Sequence, residues 1–524
     1  MGLRRLLVST SVLIGGLALF LSLMTSRPWS PPPIIGKNNT ALFLVNSEPG
    51  FSNVHVATAQ ALLERHPHIQ IHFASFAPLG PRLQRVSSYS RKRTAAAKDI
   101  VFHRIDGDSL MAATIVGGQT ASNAIHPPGR AGIEALCRDM QLYVSPWSGE
   151  SHLAMYEQVN HILAAVDPAV VVLDTLLRPA LDATRDQNRL HAFITPNTLI
   201  ENFPADQPWA AMLWKYPCLG SGIPYPIPWN RVAENLYLNF RFISTMLFMP
   251  DIKKKQAFLK SKGLRDPINF FKLHRPDVPW LTQTMPGASV PVDVVPQNVT
   301  CTGPMVLSLG PAEEQDPVLA AWLSRAPTVL VNLGGGFIYS EAAATVMVKG
   351  LAEVLDSTDV QILWKFRRRT IYIGNGEDYS DGFKAPLQPF LDSERIKIES
   401  WLPIDPPSIL ESGHVIASVH HGGAGCYHEA ISAGVPQVIL PQWLDLYNFA
   451  QLAEDIGVGI WGCRKTSPQW TSECLREAIL TAIDESGTGL GMKSKAKQLA
   501  EVAQKNPGRY VAAREIAKLA ESGK

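Results

Sequence analysis

Apolar residues fall along this chain in two alternating rhythms. Residues 41–46 (ALFLVN) form a short unbroken apolar run of the kind a strand buried on both faces needs, and the run closes at a Pro49-Gly50 turn. From Val54 to Arg65 apolar positions recur at helical spacing, with Asn53 as the expected N-cap. Ile69 to Phe73 returns to strand character, and strand–helix–strand in this order predicts a parallel sheet. Val170 to Leu173 and Leu190 to Ile194 add further strands, the first ending at Asp174. A second series starts at Thr328, with a strand over 328–333, a Gly334-Gly335-Gly336 turn and a helix over 340–355. Strands follow over 361–366, 395–399, 415–419 and 437–440, and Ser494 to Ala520 has helical period and is expected to pack back across the molecule. Asn230 to Leu264 is also helical, with aromatic and Met residues among Arg and Lys. It fits either core-facing helices with a solvated basic edge or a pair lying on a membrane surface.

These rhythms divide the chain into an apolar N-terminal segment (1–27), a proline-rich spacer (28–40), a first α/β domain (41–290), a linker (291–312), a second α/β domain (313–503) and a returning helix (504–524). A net charge of +2 gives no electrostatic case for a nucleic-acid partner. The six cysteines contain no CxxC pair, which argues against a zinc ribbon or a dithiol redox motif, and spacing does not say which of them pair. Residues 6–26 carry no charge and follow Arg4 and Arg5, and a stretch of that length can span a bilayer. The expectation is a retained signal-anchor with a luminal body, single-pass in the endoplasmic reticulum, a cleaved signal peptide being the alternative. Asn38-Asn39-Thr40 and Asn298-Val299-Thr300 are glycosylation sequons that only a luminal body would use.

The densest chemistry lies at 418–459. The Gly422-Gly423-Ala424-Gly425 turn follows a strand and precedes a helix, so backbone can approach a diphosphate while the helix terminus supplies free N–H groups. His421 is placed to donate to a phosphate oxygen, and Glu429, in the helix, to accept from a ribose diol; alone, His421 reads as a satisfied core histidine. Asp445 lies just past the next strand, where it serves either sugar hydroxyls or a helix cap.

With Trp401-Leu402-Pro403, His421-Gly422-Gly423, Glu429, Gly434-Val435-Pro436 and Asp445 in this order, the chain resembles the family 1 glycosyltransferases, in particular a fungal branch acting on small molecules. The resemblance is strongest over 328–462. It implies a GT-B architecture, two Rossmann-like domains facing a cleft, with the donor on the second. It further implies that Trp401 stacks on the nucleobase, that His421, Gly423, Gly425 and Cys426 follow the diphosphate, and that Glu429 holds the ribose. Asp445 then binds the transferred sugar, and Gly334 and Gly335 lie near the donor. No cofactor or metal is implied beyond the co-substrate, a nucleotide-diphospho-sugar with UDP-glucose as default. The implied reaction inverts the anomeric centre and modifies a lipophilic hydroxyl compound of secondary metabolism. Departures are Ile404 and Leu446, each where the family has Gln, and Cys426 where it has Ser. Phe51 stands where the family places its general-base His, which leaves His55 with Asp174 as the expected catalytic pair, and Glu48 or Asp174 alone as alternatives.

Three rival readings are a metal-binding DxD at Asp106-Gly107-Asp108 of GT-A type, a nucleotide-sugar epimerase on the same fold, and a degenerate membrane-anchored subunit without activity. The aromatic stretch Phe203 to Trp229 is suited either to lining an apolar acceptor pocket or to core packing.

Overall fold

In a computed structural model of the chain, residues 31–118, 124–368 and 381–523 are described. Two wholly parallel sheets organise them. The first contains β1 (Lys37–Leu44), β2 (Gln70–Ser75), β3 (Val101–Arg104), β4 (Pro168–Leu173), β5 (His191–Ile194), β6 (Trp280–Thr282) and β7 (Val299–Cys301), in the order β3-β2-β1-β4-β5-β6-β7. The second contains β8 (Thr328–Asn332), β9 (Gln361–Lys365), β10 (Ile396–Glu399), β11 (Val415–His420), β12 (Gln437–Ile439) and β13 (Gly459–Trp461), in the order β10-β9-β8-β11-β12-β13. Each sheet steps outward three strands in one direction and then resumes beside its first strand. The loops after β1 and β4, and after β8 and β11, therefore diverge at the carboxyl edge and leave a crevice there.

The central strands are apolar throughout because helices cover both faces; β4 and β8 are buried at every position. The helix Gly508–Ala520 returns to the first domain and buries Ala512, Ala513, Ile516 and Ala517 in the same core as Val56 and Leu62.

Several expectations change. β7 falls within the expected 291–312 linker but is the edge strand of the first sheet, so the crossover lies after Cys301. The first helix runs Pro49–Arg65 and is capped at Glu48, not Asn53. Pro49, with φ already set and no N–H to lose, starts the helix five residues earlier than apolar spacing suggests. The final helical stretch is two helices, Gly487–Lys505 and Gly508–Ala520, because Pro507 cannot continue the first.

The aromatic residues of 203–229 divide between surface and interior: Trp209 and Trp229 are 88% and 86% exposed, while Tyr216 is packed inside. The apolar segment 6–26 lies outside the described residues, and among those described no helix is long and apolar enough to cross a membrane. Asp106 and Asp108 sit on an exposed turn after β3, Asp106 paired with Arg104 at 2.7 Å. Cys463 and Cys474 form a disulfide (Cα–Cα 5.3 Å), and Cys137 and Cys218 are buried thiols.

Candidate active site

The crevice of the second sheet is built around His421. Its imidazole is inserted between two glycine turns: a Cβ on Gly334 would lie 2.4 Å from the ring, and one on Gly423 would lie 2.7 Å from it. Gly334 also has φ +80°, so both space and backbone exclude a side chain there. Burial, with the neighbouring His420 and Lys365, pushes His421 down to about 3, and its Nδ1 is buried without a partner. His420 is committed elsewhere: Gly422 N–H donates to its Nδ1 at 3.0 Å, and its Nε2–H donates to Gln437 Oε1 at 2.9 Å. The ligand atoms of His420, His421 and Cys426 lie within 4.8 Å of one another, but His420 has no lone pair left for a metal.

The helix Ala424–Ala433 starts beside this ring with Gly423 as its cap residue and no side-chain cap, leaving its first N–H groups for a ligand. The space above Gly425 is open to at least 4 Å. Cys426 lies in the first turn, its thiol pushed up by burial and held neutral. Glu429, one turn on, is buried and pushed up to about 8, by desolvation first and opposed by Arg82. Asn53 reaches it across the cleft, Nδ2 donating to Oε1 at 3.5 Å.

Trp401, after β10, is 52% exposed. The ammonium of Lys365, at the end of β9, lies 3.7 Å from its ring centroid and donates to Gly334 O at 3.0 Å. Arg367 stands further out, over the same ring at 5.7 Å and bonded to Gly335 O. Lys365 is the last residue of β9, and its signal in the sequence is a charge that closes the run Ile362-Leu363-Trp364.

Asp445 precedes the helix Leu446–Asp455 but makes no cap bond. Its Oδ2 instead accepts from Asn197 Nδ2 at 2.8 Å, from the loop after β5, and burial pushes its carboxyl up. The turn before it, with Leu444 at φ +45°, is held by His126. Leu444 N–H donates to His126 Nε2 at 3.1 Å, and His126 N–H donates to Gln442 O at 3.1 Å. His126 carried no local motif and was not singled out from sequence.

On the first sheet's side the expected pair does not face the cleft. His55 is fully buried: Nδ1–H donates to Phe51 O at 2.9 Å, Nε2 lies 3.4 Å from Leu173 O, and burial lowers its pKa against the opposing pull of Asp174. Asp174 is also enclosed. Its Oδ2 accepts from Asn46 N (3.0 Å) and Asn46 Nδ2 (2.9 Å), and its Oδ1 accepts from Leu176 N (2.7 Å). Both brace the loop after β1 and neither is free to meet an acceptor. Glu48 is the carboxylate that borders the cleft. Met111 N–H donates to its Oε1 at 2.8 Å, and its Oε2 is buried without a partner among the described residues. The next residue, Pro49, lies 3.6 Å from where a Cβ of Gly335 would be, and Met111 lies 3.1 Å from the same point on Gly336. Glu48 is thus brought opposite the donor-side turn.

A depression of about 320 Å³ on the far side, bordered by Arg65, Arg93, Arg509 and Glu64, contains none of these groups.

Residues 393–519 match a family model described as the C-terminal domain of erythromycin biosynthesis protein CIII-like proteins. The glycosyltransferase sdnJ of Sordaria araneosa is 34% identical over 441 residues, 82% of this chain and 84% of that protein. A UDP-glycosyltransferase of Talaromyces amestolkiae is 28% identical over 300 residues, and the match spans 55% of this chain and 53% of that one. A solved UDP-glucosyltransferase of Polygonum tinctorium superposes with a TM-score of 0.55 at 17% identity, covering 94% of this chain and all of that one. That likeness establishes a GT-B arrangement of two Rossmann-like sheets and removes the GT-A reading of Asp106-Gly107-Asp108.

Proposed function

Because this chain belongs to the family 1 glycosyltransferases, being a UDP-glycosyltransferase by relationship to proteins of that kind, we propose that it moves a sugar from a UDP-sugar, UDP-glucose by default, to a hydroxyl of a lipophilic small molecule. The observation that carries this reading is the convergence of Trp401, His421, the open turn at Gly425, Glu429 and Asp445 on one crevice at the carboxyl edge of the second sheet. In this reading the base stacks on the free face of Trp401, the ribose diol donates to Glu429, and the diphosphate sits on the N–H groups of the 424–433 helix. Asp445 takes sugar hydroxyls, oriented by Asn197.

The reaction is a single displacement that inverts the anomeric centre. A base removes the acceptor proton, the acceptor oxygen bonds the anomeric carbon, and the carbon–oxygen bond to the diphosphate breaks with its electron pair left on the diphosphate. Charge developing there meets preorganised N–H dipoles, which is why no metal is part of the proposal. Glu48 is assigned as the base: it is the cleft-side carboxylate, one oxygen is fixed by Met111 N–H and the other is buried with no hydrogen-bond partner among the described residues. His55 and Asp174 hold its loop in place. Secondary metabolism is the expected setting. The charge-free segment 6–26 supports a membrane-anchored, luminal enzyme, and the Cys463–Cys474 disulfide suits an oxidising compartment.

The test is transfer by purified protein from a set of UDP- and GDP-sugars to a panel of lipophilic alcohols and phenols. Glu48→Gln is expected to lower kcat by about 10²- to 10⁴-fold with the donor KM retained. His55→Gln is expected to cost stability more than rate. Turnover of a UDP-sugar without acceptor to an epimer would favour the epimerase, and absence of turnover together with absence of nucleotide binding would favour the inactive subunit.

A further inference from the structure

Resting on that donor site, we propose that Lys365 is a diphosphate-binding residue and the main cation facing the leaving group. Four observations meet at its ammonium. It lies at the carboxyl end of β9, beside the switch point where the crevice opens. It is buried at 6% exposure, yet among the described residues it donates a single hydrogen bond, to Gly334 O at 3.0 Å, although an ammonium carries three N–H groups. Its other side faces the π surface of Trp401 at 3.7 Å, a contact an incoming base can share or displace. Gly334 packs against His421, so the ammonium is held at the turn that faces the start of the 424–433 helix.

The other groups in the crevice make a cation there consequential. His421 stays neutral, down to about 3, and the Cys426 thiol is a weak donor kept protonated by burial. The charged and titratable groups around Lys365 are Arg367, a like-charged neighbour, His421 and Cys426, which burial keeps neutral, and Glu429, which favours the ammonium once it ionises. Desolvation brings Lys365 down to about 8, so it is largely an ammonium at neutral pH and its charge is available to an anion that replaces lost water. A buried cation, a helix terminus and open space above Gly425 together select a dianionic phosphate group rather than a neutral base or sugar. During transfer the ammonium keeps its proton. It balances the negative charge that appears on the diphosphate oxygen as the bond to the anomeric carbon breaks.

Calorimetric titration of the full chain with UDP and, separately, with uridine tests this, because the two ligands differ only in the diphosphate. Lys365→Met is expected to weaken UDP by about 10- to 100-fold and uridine by no more than about threefold, while Lys365→Arg, which keeps the charge, retains most of the gap. Glu429 titrates in the same range but meets the ribose that both ligands share, so the wild-type gap between UDP and uridine is expected to narrow as pH rises through about 8, and that narrowing is expected to vanish in Lys365→Met. Equal losses for UDP and uridine would make Lys365 a support for Trp401 and Gly334 and overturn the inference, as would an unchanged affinity for UDP. Wild type failing to bind UDP at all would instead remove the donor site on which the inference rests.

Discussion

A neutral histidine beside a protonated acid is the residue-scale signature of this crevice. His421 is held down to about 3, so it does not titrate across the working range and acts as a neutral hydrogen-bonding group. Glu429 behaves in the opposite sense, because burial raises its folded value to about 8. A carboxyl whose folded pKa is raised stabilises the fold while protonated. That contribution is whole below the ordinary carboxylate value and is lost as pH rises through the folded one. Thermal unfolding is therefore expected to show wild type losing stability relative to Glu429→Gln as pH rises through about 8, and a constant difference would show that Glu429 is charged in the unliganded protein. Both residues were legible in the sequence, because a glycine turn between strand and helix fixes which neighbours face a ligand. Lys365 was not legible in that way. Its position at a strand end becomes meaningful only once β9 is known to lie beside β8, with Trp401 brought over it from beyond β10.

Elements carry the difference between a nucleotide site and a sugar site. The turn from Gln442 to Leu446 is held in part by His126, which comes from the other half of the chain. His126→Ala is expected to reduce kcat/KM for the UDP-sugar by about tenfold while leaving the UDP dissociation constant within about threefold, since it disturbs the position of Asp445 and not the diphosphate seat. Steady-state kinetics beside calorimetry separates the two effects. Strand order and the two switch points follow from apolar runs and short connections that the sequence displays. The register of the helix Pro49–Arg65 does not. The returning helix Gly508–Ala520 covers the face a surface helix would turn to water, so apolar spacing has no polar stripe to orient it. That is why His55 looks from sequence as if it could reach the cleft and instead closes onto Phe51 O.

At the scale of the whole molecule, the domains touch across the donor crevice. Arg82 donates to Asn53 Oδ1 at 2.5 Å, beside the Asn53–Glu429 contact, and pairs with Asp405 at 3.4 Å; Arg85 pairs with the same carboxylate from a more exposed position. Arg82→Ala is expected to lower stability in urea by about 1–3 kcal/mol, because it leaves buried partners unsatisfied, and Arg85→Ala by less than about 1 kcal/mol. Removing residues 1–30 spares β1, which begins at Lys37, and is expected to release the protein from a membrane fraction without lowering transfer in detergent. A truncated protein that stays on membranes would place its attachment in the folded body.

The most direct test of the account is a crystal structure of the full chain with UDP. Its diphosphate oxygens are expected within hydrogen-bond distance of the Gly425 and Cys426 N–H groups, with the uracil on Trp401 and the ribose on Glu429. A nucleotide seated in the crevice of the first sheet, or on the far side near Arg509, would contradict the donor site and every role derived from it.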